Sequence, residues 1–145
     1  MSRIVLELPE RFSLSTELPI YISHINFAQH LDNAAFVALL SEARTRFYKA
    51  AGMEPASLGE VTLVAADLVV LYKSQAHYGE VLRFEFTAAD FNRYGFDVVF
   101  RATEAALGRE VARGKVGIVF VRKDTGKATP PPASVLARLE ALSQG

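Results

Sequence analysis

The sequence predicts an α+β fold in which one long apolar helix is wrapped by a five-stranded antiparallel sheet. Two observations predict it. The first is a stripe of apolar residues at helical spacing, formed by Phe36, Leu39, Leu40, Ala43 and Phe47. The second is a run of alternating or wholly apolar segments between residues 61 and 122, separated by short breaks that contain glycine. The long helix alone is apolar enough to cover such a sheet.

The long helix is predicted to begin at Asp32 or Asn33, because a short side-chain acceptor satisfies the free amides of a first turn. Residues 34–38 make the first two turns of the helix apolar all round, which predicts that its start is buried on nearly every side. Gly52 is the predicted stop. A short second helix is predicted over residues 133–143, after a loop over residues 123–132.

The strands are predicted over residues 11–23, 61–73, 81–89, 94–103 and 110–122. The breaks between the last four strands each hold a glycine, which is typical of hairpin turns, at residues 76–79, 92–95 and 105–108. The last four strands are therefore predicted to form a meander. An open edge of such a sheet can pair across a two-fold axis, so we expect a homodimer or a dimer of dimers, which is a homotetramer.

Composition limits the classes of function. A chain of 145 residues, half of them hydrophobic, suits a single domain over residues 1–145. Lysine plus arginine equals aspartate plus glutamate at 16 each, so no overall field attracts nucleic acid or an anionic membrane. With no cysteine there is no disulfide, thiolate metal site or cysteine nucleophile. The N-terminal residues lack the apolar run of a signal peptide, and we expect a cytoplasmic protein.

Several familiar catalytic and cofactor-binding motifs are absent from the sequence. It contains no nucleophile elbow, no phosphate-binding loop and no dinucleotide fingerprint. The three histidines, His24, His30 and His77, have no acidic ligand at a recognisable spacing, so no metal site is predicted. We therefore expect the protein to work without a cofactor.

The segment before the long helix carries the most distinctive motif. It reads His24-Ile25-Asn26-Phe27-Ala28-Gln29-His30-Leu31-Asp32-Asn33, and Glu42-Ala43-Arg44 follows within the helix. This pattern resembles the signature of the 4-hydroxybenzoyl-CoA thioesterase family of the hotdog superfamily, which is Asp-x-Asp-x-x-Gly-His-Val-Asn-Asn, an aromatic residue and Glu-x-x-Arg. The Gln-His pair is also similar to that of plant acyl-carrier-protein thioesterases. Two later segments, 72–80 and 112–115, resemble the family more weakly.

The resemblance implies a hotdog fold and hydrolysis of an acyl-CoA or acyl-carrier-protein thioester, with coenzyme A as part of the substrate. This sequence departs from the signature at three positions. Asn26 stands where the family often has its catalytic aspartate, His24 stands for the first aspartate, and Gln29 stands for the glycine. A neutral amide cannot accept a proton at pH 7, so the usual mechanism does not carry over.

The predicted catalytic residues are Asn26, His30 and Glu42. Glu42 is the predicted general base, with His30 or Asn26 positioning water and substrate. The structural alternatives are that Glu42 is a solvated helix residue paired with Arg46, and that His30 is a loop histidine bonded to backbone.

The predicted substrate-binding residues are Phe27, Asp32, Asn33, Tyr72, Lys73 and Arg113. Free amides after Asp32 could stabilise the oxyanion of a thioester, and Phe27 could line an acyl tunnel. Tyr72, Lys73 and Arg113 could contact coenzyme A. The structural alternatives are ordinary capping for the helix start, core packing for Phe27 and a solvated surface position for Lys73 and Arg113. Asp67, a charge within an apolar strand, could pair with Lys73, mark a bulge or flank a cleft shared by a dimer.

Three functions remain open at this point. The first is a thioesterase. The second is an acyl-thioester binding protein without turnover, which the replacement of the aspartate by Asn26 favours. The third is a hotdog dehydratase or hydratase, which usually pairs an aspartate with a histidine five residues later. Here Asn26 and His30 are four residues apart and the acid is missing, which ranks that function last.

Overall fold

The structure of the protein is a computed structural model that describes residues 3–145; Met1 and Ser2, which begin the predicted single domain, lie outside it. Within that range, the elements in chain order are β1 (Leu14–Pro19), a 3₁₀ turn (Ile22–His24), α1 (Asn33–Ala50), α2 (Pro55–Leu58), β2 (Val61–Tyr72), β3 (Val81–Asn92), β4 (Gly95–Glu104), β5 (Glu110–Arg122) and α3 (Ala133–Gln144). Strand β1 is shorter than predicted, because the chain turns into the 3₁₀ segment soon after it leaves β3.

The five strands form one antiparallel sheet in the order β1-β3-β4-β5-β2. The predicted hairpins after β3 and after β4 are confirmed. The predicted hairpin at residues 76–79 is wrong, because β2 pairs with β5 at the far edge and residues 73–80 cross from one side of the sheet to the other. The glycine in a break indicates a change of direction, but it does not determine which strand becomes the neighbour.

Helix α1 packs on the sheet through its predicted apolar stripe. The ring centroid of Phe36 lies 5.7 Å from that of Phe84 and 6.3 Å from that of Phe100. Further along, the centroid of Phe47 lies 5.6 Å from that of Phe86. All five rings are fully buried, and burying a phenylalanine contributes about 2 to 3 kcal/mol relative to leaving it exposed. These contacts fix α1 on β3 and β4 and so place its first turn.

The exposure of the helix start differs from the prediction. Ala34 and Ala38 are exposed in the single chain, because the sheet covers only the opposite side of the helix. The edge strand β2 likewise leaves Val64 and Leu68 exposed at 43% and 42%. Both the helix and the free sheet edge therefore present exposed apolar residues.

Asp67 lies at a β-bulge in β2, as one of the open predictions has it. Its carboxylate accepts hydrogen bonds from Lys115 Nζ at 2.9 Å and from the Gly117 amide at 3.0 Å. The hydrogen bond from Lys115 is the largest influence on the pKa of Asp67, which is lowered. Pairing with Lys73 is therefore wrong, since the carboxylate reaches across to the neighbouring strand β5 instead.

The crossover segment 73–80 is held in place by Glu80. Its carboxylate accepts from the His77 amide at 2.7 Å and from the Arg109 guanidinium at 3.0 Å. Burial alone raises the pKa of Glu80, but the hydrogen bonds from His77 and Arg109 together lower it below its ordinary value. The ionised side chain thus stabilises the folded crossover.

Replacing Glu80 by glutamine is expected to lower the free energy of unfolding by about 1 to 2 kcal/mol at pH 7, since a charge-assisted hydrogen bond is lost. Because the folded pKa is the lower one, this stabilisation is fully present above the unfolded-state pKa and is lost as the pH falls through the folded value. Urea unfolding at pH 7 and at pH 3 measures it. A difference between wild type and variant that persists undiminished at pH 3 would contradict the assignment.

None of the helices in residues 3–145 has the length and apolar character needed to cross a membrane.

Helix α3, confirmed close to its predicted bounds, packs through Val135 and Leu139, and its Arg138 donates to the Ala50 carbonyl at the end of α1.

Candidate active site

A cavity of about 330 Å³, here called the helix-start cavity, opens where α1 begins beside the end of β2. The loop before α1, α1 itself, the end of β2, the crossover segment and β5 all contribute to its lining: His30, Leu31, Asn33, Phe36, Tyr72, Lys73, Ser74, Gln75, Ala76 and Val111. The Leu31 amide donates to the Ala76 carbonyl at 2.7 Å, which fastens the loop to the crossover. The cavity therefore has fixed walls on two sides.

The loop that carries the family-like motif is closed by Asn26. Its side-chain oxygen accepts from the Ala28 amide at 3.0 Å, and its backbone amide donates to the His30 carbonyl at 3.0 Å. The turn requires a left-handed backbone at Gln29, where φ is +69°. Glycine adopts that conformation freely, whereas glutamine does so at a cost of about 1 to 2 kcal/mol. The loop geometry thus accounts for the glycine in the resembling signature.

The start of α1 offers fewer free amides than predicted. One carboxylate oxygen of Asp32 accepts from the Ala34 and Ala35 amides at 3.0 and 3.1 Å, and the Asp32 carbonyl accepts from Phe36. Asp32 is therefore the N-cap that the sequence predicts. Among residues 3–145 no acceptor is found for the Asn33 amide, and Asn33 lines the cavity. One first-turn N–H, at the positive end of the helix dipole, therefore has no protein acceptor within the described residues.

His30 projects a ring nitrogen toward its own loop. Its Nδ1 lies 3.3 Å from the Leu31 carbonyl oxygen. A carbonyl can only accept, so in the neutral ring this contact places the proton on Nδ1 and leaves Nε2 as an acceptor. His30 is half-buried and lines the cavity.

Tyr72 connects the end of β2 to the start of α1. Its hydroxyl donates to the Asn33 carbonyl at 2.9 Å, and its ring meets Phe36 edge-on with centroids 5.7 Å apart. Burial, aided by the negative charge of Asp32, raises the pKa of Tyr72, so the hydroxyl stays a donor. Lys73 also lines the cavity, and its backbone amide donates to the Val111 carbonyl.

Five sequence-predicted residues lie outside this cavity: Asp32, which caps α1, and four others. Glu42 is exposed and ion-paired with Arg46 at 3.1 Å, and Phe27 is wholly exposed at the loop tip. Arg113 pairs with Glu110 and donates to the Leu6 carbonyl, while the side-chain oxygen of Asn26 is taken by its own turn. The structure thus brings together His30, Asn33, Tyr72 and Lys73, with Asp32 as the cap behind them.

Other lining residues were missed by sequence reasoning, among them Ser74, Gln75 and Val111. Ser74 and Gln75 lie in the stretch that resembles the family, but a polar pair between a predicted strand and a predicted turn gives no sign that it faces a cavity. No carboxylate lines the helix-start cavity in the part of the chain that the structure describes. Nor do any three His, Cys, Asp or Glu side chains in residues 3–145 group so as to hold a metal ion.

A family model described as the thioesterase-like superfamily matches residues 21–139. The chain belongs to the thioesterase-like superfamily. The matched range includes the loop before α1, the crossover segment and every residue that lines the helix-start cavity. A search of curated proteins finds no match to this thioesterase-like protein.

The protein is similar to a 1,4-dihydroxy-2-naphthoyl-CoA thioesterase from Synechocystis, with a TM-score of 0.80, 17% identity and coverage of 89% of this chain and 96% of that one. It is similar to a Thermus thermophilus thioesterase complexed with coenzyme A and Zn, with a TM-score of 0.79, 21% identity and coverage of 94% of this chain and 98% of that one. It is also similar to a hypothetical Staphylococcus aureus protein in complex with CoA, with a TM-score of 0.83, 15% identity and coverage of 97% of this chain and 89% of that one. These likenesses confirm the predicted hotdog fold.

Proposed function

We propose that the protein hydrolyses an acyl-CoA thioester in the helix-start cavity, with His30 as the general base. One observation carries this proposal. Of the groups that line the cavity, the His30 ring offers a nitrogen, Nε2, that is left as an acceptor when Nδ1 bonds the Leu31 carbonyl, whereas the Tyr72 hydroxyl is a donor to the Asn33 carbonyl. Membership of a superfamily of thioesterases supplies the reaction class.

The reaction follows from these groups. The carbonyl oxygen of the thioester accepts from the Asn33 amide, where the helix dipole favours the negative charge that develops. A water molecule attacks the carbonyl carbon as His30 Nε2 takes its proton. The tetrahedral intermediate then collapses, the carbon–sulfur bond breaks, and the leaving thiolate takes that proton from His30. The products are one free acid and one thiol.

The proposed working form is a homodimer or a dimer of dimers. Support comes from the exposed apolar residues Ala34, Ala38, Val64 and Leu68 and from the unpaired edge of β2. An edge strand that pairs with its own copy across a two-fold axis satisfies the free backbone groups of β2 and covers its exposed apolar residues. Light scattering is expected to give at least twice the chain mass of 15.9 kDa, and a mass equal to one chain would contradict this.

The test is a panel of short, long and aromatic acyl-CoAs, with release of free thiol followed by a chromogenic disulfide. We expect release with at least one acyl class, which also names that class. An acyl-carrier-protein substrate of the same acyl group, assayed alongside, decides between the two carriers. A closer relation to the 4-hydroxybenzoyl-CoA thioesterase family would be supported by a preference for aromatic acyl groups.

The second candidate is an acyl-thioester binding protein without turnover. The lack of a carboxylate in the cavity lining and the engagement of the Asn26 oxygen in its own turn favour it. Asn26→Asp preserves an acceptor for the Ala28 amide while it adds a carboxylate. If wild type binds acyl-CoA without thiol release and this variant releases thiol, the second candidate is correct. If wild type already turns over, Asn26→Asp is expected to change kcat less than His30→Gln does.

A further inference from the structure

A segment before β1 lies on the face of the sheet that is turned away from α1. The segment is residues 3–12, here called the strap, and that face is here called the outer face. Phe100 of β4 packs against α1, so the next residue, Arg101, projects from the outer face. The Arg101 guanidinium lies over the Phe12 ring of the strap, 5.1 Å from its centroid. The strap therefore runs along the outer face before it leads into β1.

A second contact holds the strap on the neighbouring strand. Arg113 of β5 lies directly opposite Arg101, and its guanidinium donates to the Leu6 carbonyl at 3.1 Å. Two like charges opposite each other destabilise a sheet, and the strap offers a carbonyl oxygen to one of them and an aromatic face to the other. Leu6 and Leu8 are half-buried whereas Glu7 is exposed, which is the alternation of an extended segment with one side against a sheet.

The outer face combines aliphatic residues with balanced charges. Val69, Leu71 and Val99 share this face, and Val99 is only 6% exposed although it points away from α1. The charged groups of the face pair with each other: Arg83 with Glu17, Arg101 with Glu85, Arg113 with Glu110, and Lys115 with Asp67 and Asp97. A surface with both signs of charge does not repel its own copy, so the uncovered outer face suits a two-fold contact between copies.

We infer that the strap closes the outer face to a second copy of the chain and so favours the homodimer over a dimer of dimers. The inference rests on the proposed function, because it takes the working form to be a homodimer paired at the edge of β2. A dimer of dimers joined through the outer faces requires that the strap leave first. Leu6 and Phe12 occupy the surface that a second dimer would bury, which makes the strap an autoinhibitory contact.

The experiment uses the full chain with the two anchors of the strap removed, as Phe12→Ala/Arg113→Met. The matched control is Phe91→Ala/Arg83→Met, which removes an exposed phenylalanine and an outer-face arginine that contact Phe96 and Glu17 instead. Cleavage by trypsin after Arg11, within the strap, measures how often the strap leaves the sheet, and sedimentation velocity measures the mass of the assembly.

We expect wild type to have the mass of two chains. In Phe12→Ala/Arg113→Met, cleavage after Arg11 is expected to be about tenfold faster, because a segment with fewer contacts opens more often. The mass of this variant is expected to be twice that of wild type. Phe12→Ala alone, which leaves every residue of the sheet in place, should change both quantities in the same direction, and circular dichroism shows whether each variant keeps its fold. The control variant is expected to keep the cleavage rate and the mass of wild type.

Faster cleavage without a doubled mass overturns the inference, because the outer face is then open and binds no second copy. A cleavage rate and a mass that both stay at the wild-type values overturn it as well, since Phe12 and Arg113 then do not hold the strap. None of the four substituted residues lines the helix-start cavity, so thiol release tests the proposed hydrolysis separately. A wild-type mass of one chain contradicts the homodimer, whereas the twofold ratio between variant and wild type still tests the strap.

Discussion

His30→Gln is expected to lower kcat for thioester hydrolysis by about 10² to 10⁴, the usual contribution of a general base. Glutamine keeps a hydrogen-bonding side chain of similar reach, but its amide cannot take a proton from water. The thioester carbonyl would still meet the Asn33 amide, so KM should change much less than kcat. Steady-state thiol release with the best acyl-CoA of the panel measures both constants.

The control is His77→Gln. This histidine stands on the crossover segment, half-exposed, with Nδ1 at 3.4 Å from Glu80, and it does not line the helix-start cavity. We expect a loss of less than about tenfold, caused by the weakened crossover. Circular dichroism of both variants shows whether the fold is kept. Equal losses in the two histidine variants would point to stability and would remove the case for His30 as the base.

Glu42→Gln distinguishes the base that the structure favours from the one that the sequence predicts. Glu42 lies nine residues beyond Asn33, which is about 13 Å along the helix axis, and is paired with Arg46. Within one chain it therefore cannot reach a thioester held at the Asn33 amide. If Glu42→Gln abolishes turnover while His30→Gln does not, our assignment is wrong and a second copy must bring Glu42 to the site.

The long helix was predictable because its signals are local. Asp32 caps it as expected, and its buried residues are those of the predicted stripe. The position of β2 was not predictable, because an apolar strand gives no sign of which neighbour it joins. Its pairing with β5 depends on contacts 40 to 61 residues apart in the chain, such as Tyr72 with Ala112 and Val61 with Arg122. The hairpin prediction failed for that reason.

The site was predictable only where the motif itself faces the cavity. His30, Asn33, Tyr72 and Lys73 line one cavity. Glu42 and Arg113 each have an oppositely charged neighbour on their own element, Arg46 at i+4 and Glu110 at i−3, and these short-range pairs hold their side chains away from the cavity. The sequence shows which charged residues are present, but the fold determines which of them pair with each other.

The strand pairing that builds the site depends on a glycine. Gly114 of β5 lies opposite Val70 of β2, and a Cβ at this position would come within 1.8 Å of the Val69 carbonyl oxygen and 2.8 Å of the Phe100 ring. Neither neighbour can give way easily, since one is backbone and the other is a fully buried ring. Gly114→Ala is therefore expected to lower the free energy of unfolding by about 3 kcal/mol or more.

Urea unfolding of Gly114→Ala measures this loss, with Gly108→Ala as the control. Gly108 has φ of +77°, and a Cβ added there would meet nothing within 4 Å, so alanine should cost about 1 to 2 kcal/mol from backbone strain alone. Equal losses in the two variants would show that β2 and β5 do not approach so closely. Tyr72 and Lys73 follow Val69 by three and four residues, so a displaced β2 also moves the cavity wall. In Gly114→Ala we therefore expect KM for acyl-CoA to rise even at temperatures where the variant remains folded.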